Sequence, residues 1–180
     1  LMNRSPKSSR DLDRAGTLFA QLRAADPNDE IGIAALYFEG RLAQAQRAAP
    51  DQGKALELYA ELIRTHPANR FAQLALIKTA GLRLYDPVVT DRELTRRFSE
   101  CEAFALRITD PALLGEYHRE MADAYQRLRR DDRDALRHLL ASFPCGTPNL
   151  QGQADLEVRI GEPARRLQRK RPQQKRRIPQ

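Results

Sequence analysis

The stretch DQGKALELYAELIRTHP, Asp51 to Pro67, decides how the rest of the chain is read. Ala55, Tyr59 and Leu62 fall at i, i+4 and i+7, one face of an amphipathic helix. Pro67 stops that helix, because proline has no backbone N–H and its ring clashes with the preceding turn. The same offsets return at Ala15, Phe19, Leu22 and Pro27, and more loosely at Ser99, Ala103, Leu106 and Pro111. A repeat of this kind specifies an architecture and, by itself, no chemistry.

At 180 residues and 41% apolar, the chain is long enough for one domain with a buried core, built as a thin layered helical array. Its eleven prolines and nine glycines fall between periodic segments and near the C-terminus, so they act as punctuation. No run approaches the ~20 consecutive apolar residues of a membrane-spanning helix. There is no apolar leader at the N-terminus, which favours a cytoplasmic location. The net charge of +7 is unevenly placed. Residues 159 to 180 hold nine Lys or Arg against one acid, Glu162, a net of +8, which leaves −1 for residues 1 to 158. The basicity therefore belongs to the C-terminal tail. Two cysteines, Cys101 and Cys145, are too few for a disulfide framework and match no metal spacing.

Working outward, seven helices are expected over residues 11–143. The first runs from Asp11 to Ala25 behind Ser9 or Asp11 as cap, burying Leu12, Ala15, Leu18, Phe19 and Leu22. The second carries the apolar run Ile31, Ile33, Ala34, Ala35, Leu36, Tyr37 and Phe38 up to Gly40, and a helix apolar on so much of its circumference packs on more than one side. A polar and alanine-rich connection, Gln44 to Gly53, leads to the third, Lys54 to His66, and the fourth runs from Arg70 to about Leu84. Thr90 and Glu93 have capping-box spacing before a fifth helix with Leu94, Phe98, Cys101, Ala105 and Ile108 on its stripe. Asp110-Pro111 starts a sixth with Leu114, Tyr117, Met121, Tyr125 and Leu128, and Ala135, Leu139 and Leu140 mark a seventh ending at Pro144. Residues 1–10 read as a flexible N-terminus. Residues 144–180 read as a disordered basic tail, because charge density without aromatic side chains cannot offset the entropy of ordering.

The alanine, aromatic and proline marks at fixed offsets resemble the tetratricopeptide repeat (TPR) family over roughly Asp11 to Phe143. That resemblance implies an all-α, TPR-like superhelix of helix pairs. In each pair the second helix carries a small residue where it crosses the first, a bulky one a turn later and a terminal proline, as in Ala15/Phe19/Pro27 and Ala55/Tyr59/Pro67. Met121-Ala122-Asp123-Ala124-Tyr125 is a variant of the family's first-helix Leu-Gly-x-x-Tyr element. The repeats depart from the family in length: successive anchors at 15, 55, 99 and 135 are further apart than the ~34 residues of a regular repeat. Tyr37-x-x-Gly40 followed by Asp51-x-x-Lys54-Ala55-x-x-x-Tyr59 also resembles the related Sel1-type repeat, with a longer loop. In this register the Asp11–Ala25 helix is of the second type and has no partner before it. Either sequence upstream of Leu1 supplies one, or this helix is itself the N-terminal cap.

No pattern of catalytic residues is legible. His66, His118 and His138 are scattered without a zinc-binding pairing, and no P-loop, G-x-S-x-G or G-x-G-x-x-G occurs. Cys101 reads as a small core hydrophobe. Asp131, Asp132 and Asp134 among Arg129, Arg130 and Arg133 read as a solvated, self-neutralised turn. The expectation is a non-enzymatic protein-interaction scaffold without catalytic, cofactor or metal residues. The resemblance implies a groove that takes a protein or peptide partner, lined by Phe38, Arg41, Lys78, Arg119, Asp123 and Gln126. The Lys-x-x-x-Asn pairing with which chaperone-binding TPRs clamp a terminal carboxylate is absent. The alternative is nonspecific binding of nucleic acid or an anionic surface by the tail, through Arg165, Arg166, Arg169, Lys170, Arg171, Lys175, Arg176 and Arg177.

Overall fold

The structure, a computed structural model, describes residues 8–46, 49–87, 90–143 and 158–167. These are helical, with no strand among them, as the periodicity predicts. The helices are α1 (Ser9–Ala25), α2 (Glu30–Arg41), α3 (Gln52–Thr65), α4 (Arg70–Tyr85), α5 (Asp91–Glu102), α6 (Pro111–Ala124) and α7 (Asp132–Ser142). An eighth, α8, covers 158–167. None is long and apolar enough to cross a membrane among the described residues.

Capping explains where these helices begin. The side chains of Ser8, Asp29, Asp51, Asn69, Thr90 and Asp131 each accept a backbone N–H from the first turn of the helix that follows, satisfying donors that have no intrahelical partner. Ser8, in the stretch expected to be flexible, is thus the cap of α1. Thr90 caps α5, but the capping box is one-sided, because the Glu93 carboxylate is turned to Arg96 and Arg97. Before α7, Arg130 takes the left-handed conformation at φ 51°, which swings the chain so that Asp131 reaches the N–H groups of Arg133 and Asp134.

Sequence analysis draws one helical domain over 11–143. By their contacts the residues group into two compact units, 1–110 and 111–180. In the first, α1 packs on α2, α2 on α3 and α4, α3 on α4, and α4 on α5. Its core is made by α2, α3 and α4 through Ile33, Leu36, Tyr37, Leu58, Tyr59, Leu62, Ala72 and Ala75. The anchors Ala55, Tyr59 and Leu62 are each 0% exposed. Buried Gln73 of α4 adds a polar clamp, its side chain oxygen accepting from the N–H groups of Thr109 and Asp110, both at 2.9 Å. In the second unit α6 packs on α7, and α8 lies against both.

The departures have local causes. The α2 helix does not stop at Gly40 but continues through a π-helical turn, Leu42–Gln46, so the expected connection is shorter. The α5 helix ends at Glu102 and tightens into a 3-10 turn, Ala103–Arg107. The expected stripe holds, with Phe98, Cys101 and Ile108 buried, whereas Ser99 and Ala103 are exposed and Leu106 is 89% exposed, so the loose third repeat at Ser99, Ala103 and Leu106 is not a buried face. On α1 Ala15 is buried, but Leu18 and Leu22 are exposed, as is Leu140 of α7. The tail departs most: α8 is helical although Gly161 and Pro163 lie inside it. A mid-helix proline costs about 3 kcal/mol, so tertiary contacts, not propensity, make this helix. The remaining parts of the expected tail, 144–157 and 168–180, lie outside the described residues.

Candidate functional site

Consecutive residues on a helix point about 100° apart, and Tyr37 and Phe38 use that divergence. Tyr37 turns into the core beside Tyr59, with ring centroids 5.9 Å apart, while Phe38 lies at the margin between Phe19 of α1 and Phe71 of α4, at 5.7 and 6.1 Å. Tyr37 closes the set against Phe71 at 5.6 Å. Phe19, Phe38 and Phe71 are all half-buried, so each ring keeps an accessible edge. The tight inner layer is possible because residue 40 is glycine: the Tyr59 ring occupies the space a side chain there would need. Tyr59 Oη donates to Gln44 Oε1 at 2.8 Å, and burial holds the phenol's pKa far above its ordinary value.

Arg41 stands one turn beyond Tyr37 and donates from Nη1 to its Oη at 3.5 Å. It is half-buried, as is Lys78 on α4. Of the six expected groove residues, unit 1 therefore holds Phe38, Arg41 and Lys78, and Phe38 is the one built into an aromatic set. Beside the set, Arg23 bridges Glu39 at 3.0 Å and Glu61 at 3.3 Å. Burial raises the Glu39 carboxyl's pKa, outweighing the opposite pull of Arg23.

An open cleft of about 710 Å³ lies where α4 meets α5. Its charged lining is Arg83, Arg96 and Arg97 against Asp86, Glu93 and Glu100, and these pair with one another. Arg97 also donates from Nη1 to the carbonyls of Arg83 and Asp86, both at 2.9 Å, so it caps the end of α4. Hydrogen bonds from Arg96 and then Arg97 hold the Glu93 carboxyl down to about 2. The network is self-neutralised and ties two helices together; it offers no concentration of positive charge to an anion. Cys101 is fully buried, and desolvation pushes its thiol up to about 11, away from the thiolate a nucleophile needs.

In unit 2, Arg119, Asp123 and Gln126 are half-buried on α6 and its π-helical extension, Tyr125–Arg129. Asp123 is engaged by the chain itself, its carboxylate taking the Arg159 guanidinium of α8. Asp132 corrects the reading of the acidic turn: it is buried and pairs with Arg166 at 3.4 Å. Arg166 also pairs with Glu162 at 3.3 Å, whereas Arg165 is exposed. Arg169, Lys170, Arg171, Lys175, Arg176 and Arg177 lie outside the described residues.

Two histidines called scattered from the sequence are neighbours in space. His118 of α6 and His138 of α7 face each other Nδ1 to Nδ1 at 2.9 Å, with the Tyr125 ring stacked on His138 at 5.5 Å and Tyr117 edge-on at 6.3 Å. One nitrogen donates and the other accepts. No spacing rule could reveal the pair, because the α6–α7 turn sets it; the only sequence signal is that each lies beside a buried stripe. Among the described residues no group of three or more metal-ligating side chains converges. Compared with protein-family models, curated proteins and solved structures, the chain matches none.

Proposed function

We propose that the chain is a non-enzymatic protein-interaction module that takes a peptide or helical segment of a partner on the Phe19–Phe38–Phe71 face. The observation that carries this is the aromatic set itself: three half-buried phenylalanines from three helices, held by a close-packed layer beneath. Rigid aromatic edges supply contact area with little further loss of side-chain entropy, and aromatic side chains and arginine are the usual anchors of protein interfaces. Arg41, on the helix that carries Phe38, adds the charge for a partner with an apolar anchor followed by an acid. Peptide-display selection on the immobilised full chain tests this. Selected peptides are expected to carry an aromatic or leucine anchor and to lose about tenfold or more in affinity to Phe38→Ala, while Phe143→Ala binds normally. Peptides that bind both variants alike would remove the aromatic face from consideration.

The second reading, polyanion binding by the tail, draws on the basic residues from Arg165 onward. It is weakened by the pairing of Arg159 and Arg166 with acids. The discriminating variant changes Arg169, Lys170, Arg171, Lys175, Arg176 and Arg177 to Gln and leaves α8 intact. If the tail is the functional part, salt-sensitive binding to single-stranded DNA disappears while peptide binding at Phe38 is unchanged.

A further inference from the structure

The α8 helix is held by its surroundings rather than by its sequence. Ten residues are too few for a stable isolated helix, and Gly161 and Pro163 weaken this one further. Contacts with one face of unit 2 hold it. Ile160 packs against Ala122 of α6 and Leu139 of α7, and the Pro163 ring is fully buried. At the two ends, Arg159 pairs with Asp123 and Arg166 with Asp132. Arg159 and Arg166 are seven apart, two helical turns on one side, with Ile160 and Pro163 between them. The receiving face repeats that pattern in complement: acid, small apolar floor, acid.

We propose that this α6–α7 face is a docking site for short basic helical segments, and that α8 is its resident, autoinhibitory occupant. The recognised pattern is arginine, apolar, two intervening residues, apolar, two intervening residues, arginine, as read from Arg159-Ile160-Gly161-Glu162-Pro163-Ala164-Arg165-Arg166. Charge selects the occupant. With α8 in place the Asp132 side chain is only 3% exposed and pairs with Arg166, and a competitor that covers it keeps that pairing by bringing its own cation. Among the contacts of α8 are Ile160, the Pro163 ring and two ion pairs, one of them through a half-exposed Arg166, and its own sequence favours a helix little. Such an element lies at the low-stability end of a fold and opens without unfolding what it covers. A partner segment of the same pattern then competes for a preformed face, against an occupant whose tether keeps its effective concentration high. This inference is independent of the aromatic face of unit 1, and loss of binding at Phe38 leaves it untouched.

The test uses the full chain and, as probe, a fluorescein-labelled peptide of residues 158–167. In the Arg159→Glu/Arg166→Glu variant α8 is expected to leave, and the probe, read by anisotropy at low salt, should bind this variant about tenfold or more tighter than wild type. Adding Asp123→Asn and Asp132→Asn should abolish that gain. Hydrogen exchange supplies the second readout: amides of 158–167 should be protected in wild type and lose protection in the arginine variant, while those of α6 and α7 keep theirs. The proposal is overturned if the probe binds wild type and variant alike or binds neither. It is equally overturned if α8 is unprotected in wild type or still protected in the variant. Loss of α6 and α7 protection together with α8 would make α8 part of the core rather than a displaceable occupant, and would also sink it.

Discussion

Gly40 and Tyr59 compete for one volume: a Cβ on residue 40 would stand 2.5 Å from Tyr59 Cε1 and 2.9 Å from Cδ1. The ring cannot yield, since Tyr59 is fully buried and its hydroxyl is tied to Gln44. Gly40→Ala should therefore destabilise the protein by about 1–3 kcal/mol, even though alanine is the better helix former, because overpacking outweighs propensity. Tyr59→Ala should cost roughly 3 kcal/mol through the cavity it leaves. Urea unfolding measures both. A Gly40→Ala variant as stable as wild type would mean that α2 and α3 approach less closely than described.

Thr79 offers the opposite case. Its side chain is buried on α4, and its hydroxyl has no hydrogen-bond partner among the described residues. Replacing it by valine keeps the shape and removes a desolvated polar group, so Thr79→Val should stabilise by about 1 kcal/mol. An unchanged or lowered urea midpoint would show that this hydroxyl is satisfied in solution.

Glu39 predicts a pH dependence. Its folded-state pKa lies above the ordinary value because burial outweighs Arg23, so the stability it contributes is present at low pH and is lost as pH rises through the folded value. At neutral pH the charge is a net burden, and Arg23 retains Glu61 if it is removed. Glu39→Gln should match or exceed wild-type stability at pH 7, with the difference vanishing below the ordinary carboxylate range. Thermal melts across that range decide it; a variant clearly weaker than wild type at pH 7 contradicts the assignment.

Glu93 has the reverse sign. Arg96 and Arg97 lower its folded-state pKa to about 2, so its contribution is present above the unfolded carboxylate range, about 4.3, and is lost as pH falls toward 2. The pairs are exposed and salt-screened, so the effect is local. Protection factors of α5 amides, which remove the pH dependence of intrinsic exchange, should fall in wild type between about pH 4 and 2, whereas Glu93→Gln should show lowered α5 protection already at pH 7 and a smaller drop in acid. Identical acid profiles in the two proteins would assign the transition to other carboxylates.

The sequence reads well where a helix carries one buried face. Ala55, Tyr59 and Leu62 share a face by periodicity alone, and that face is fully buried. The polar residues before each helix are legible as caps for the same reason, since capping depends only on neighbours two or three positions away. Of the candidate groove, Phe38 is named by what the repeat resemblance implies, but its setting between Phe19 and Phe71 could not be read, because those rings come from helices separated in sequence. The stripe of α5 was legible, with Phe98, Cys101 and Ile108 buried, but the loose third repeat at Ser99, Ala103 and Leu106 was not a face, since all three are exposed.

By itself, then, the amino-acid order determined the helices, most of their starts and the inward faces of α3 and α6, all of which follow from interactions within a few residues. Tertiary structure alone decided the approach of His118 to His138, the burial of Asp132 and the helix at 158–167. Each depends on contacts twenty or more positions apart, and at α8 those contacts overrule local preference. A glycine, a proline and a run of arginines favour an unfolded tail, until Asp123, Asp132 and the Ala122–Leu139 floor supply the partners that the segment lacks on its own.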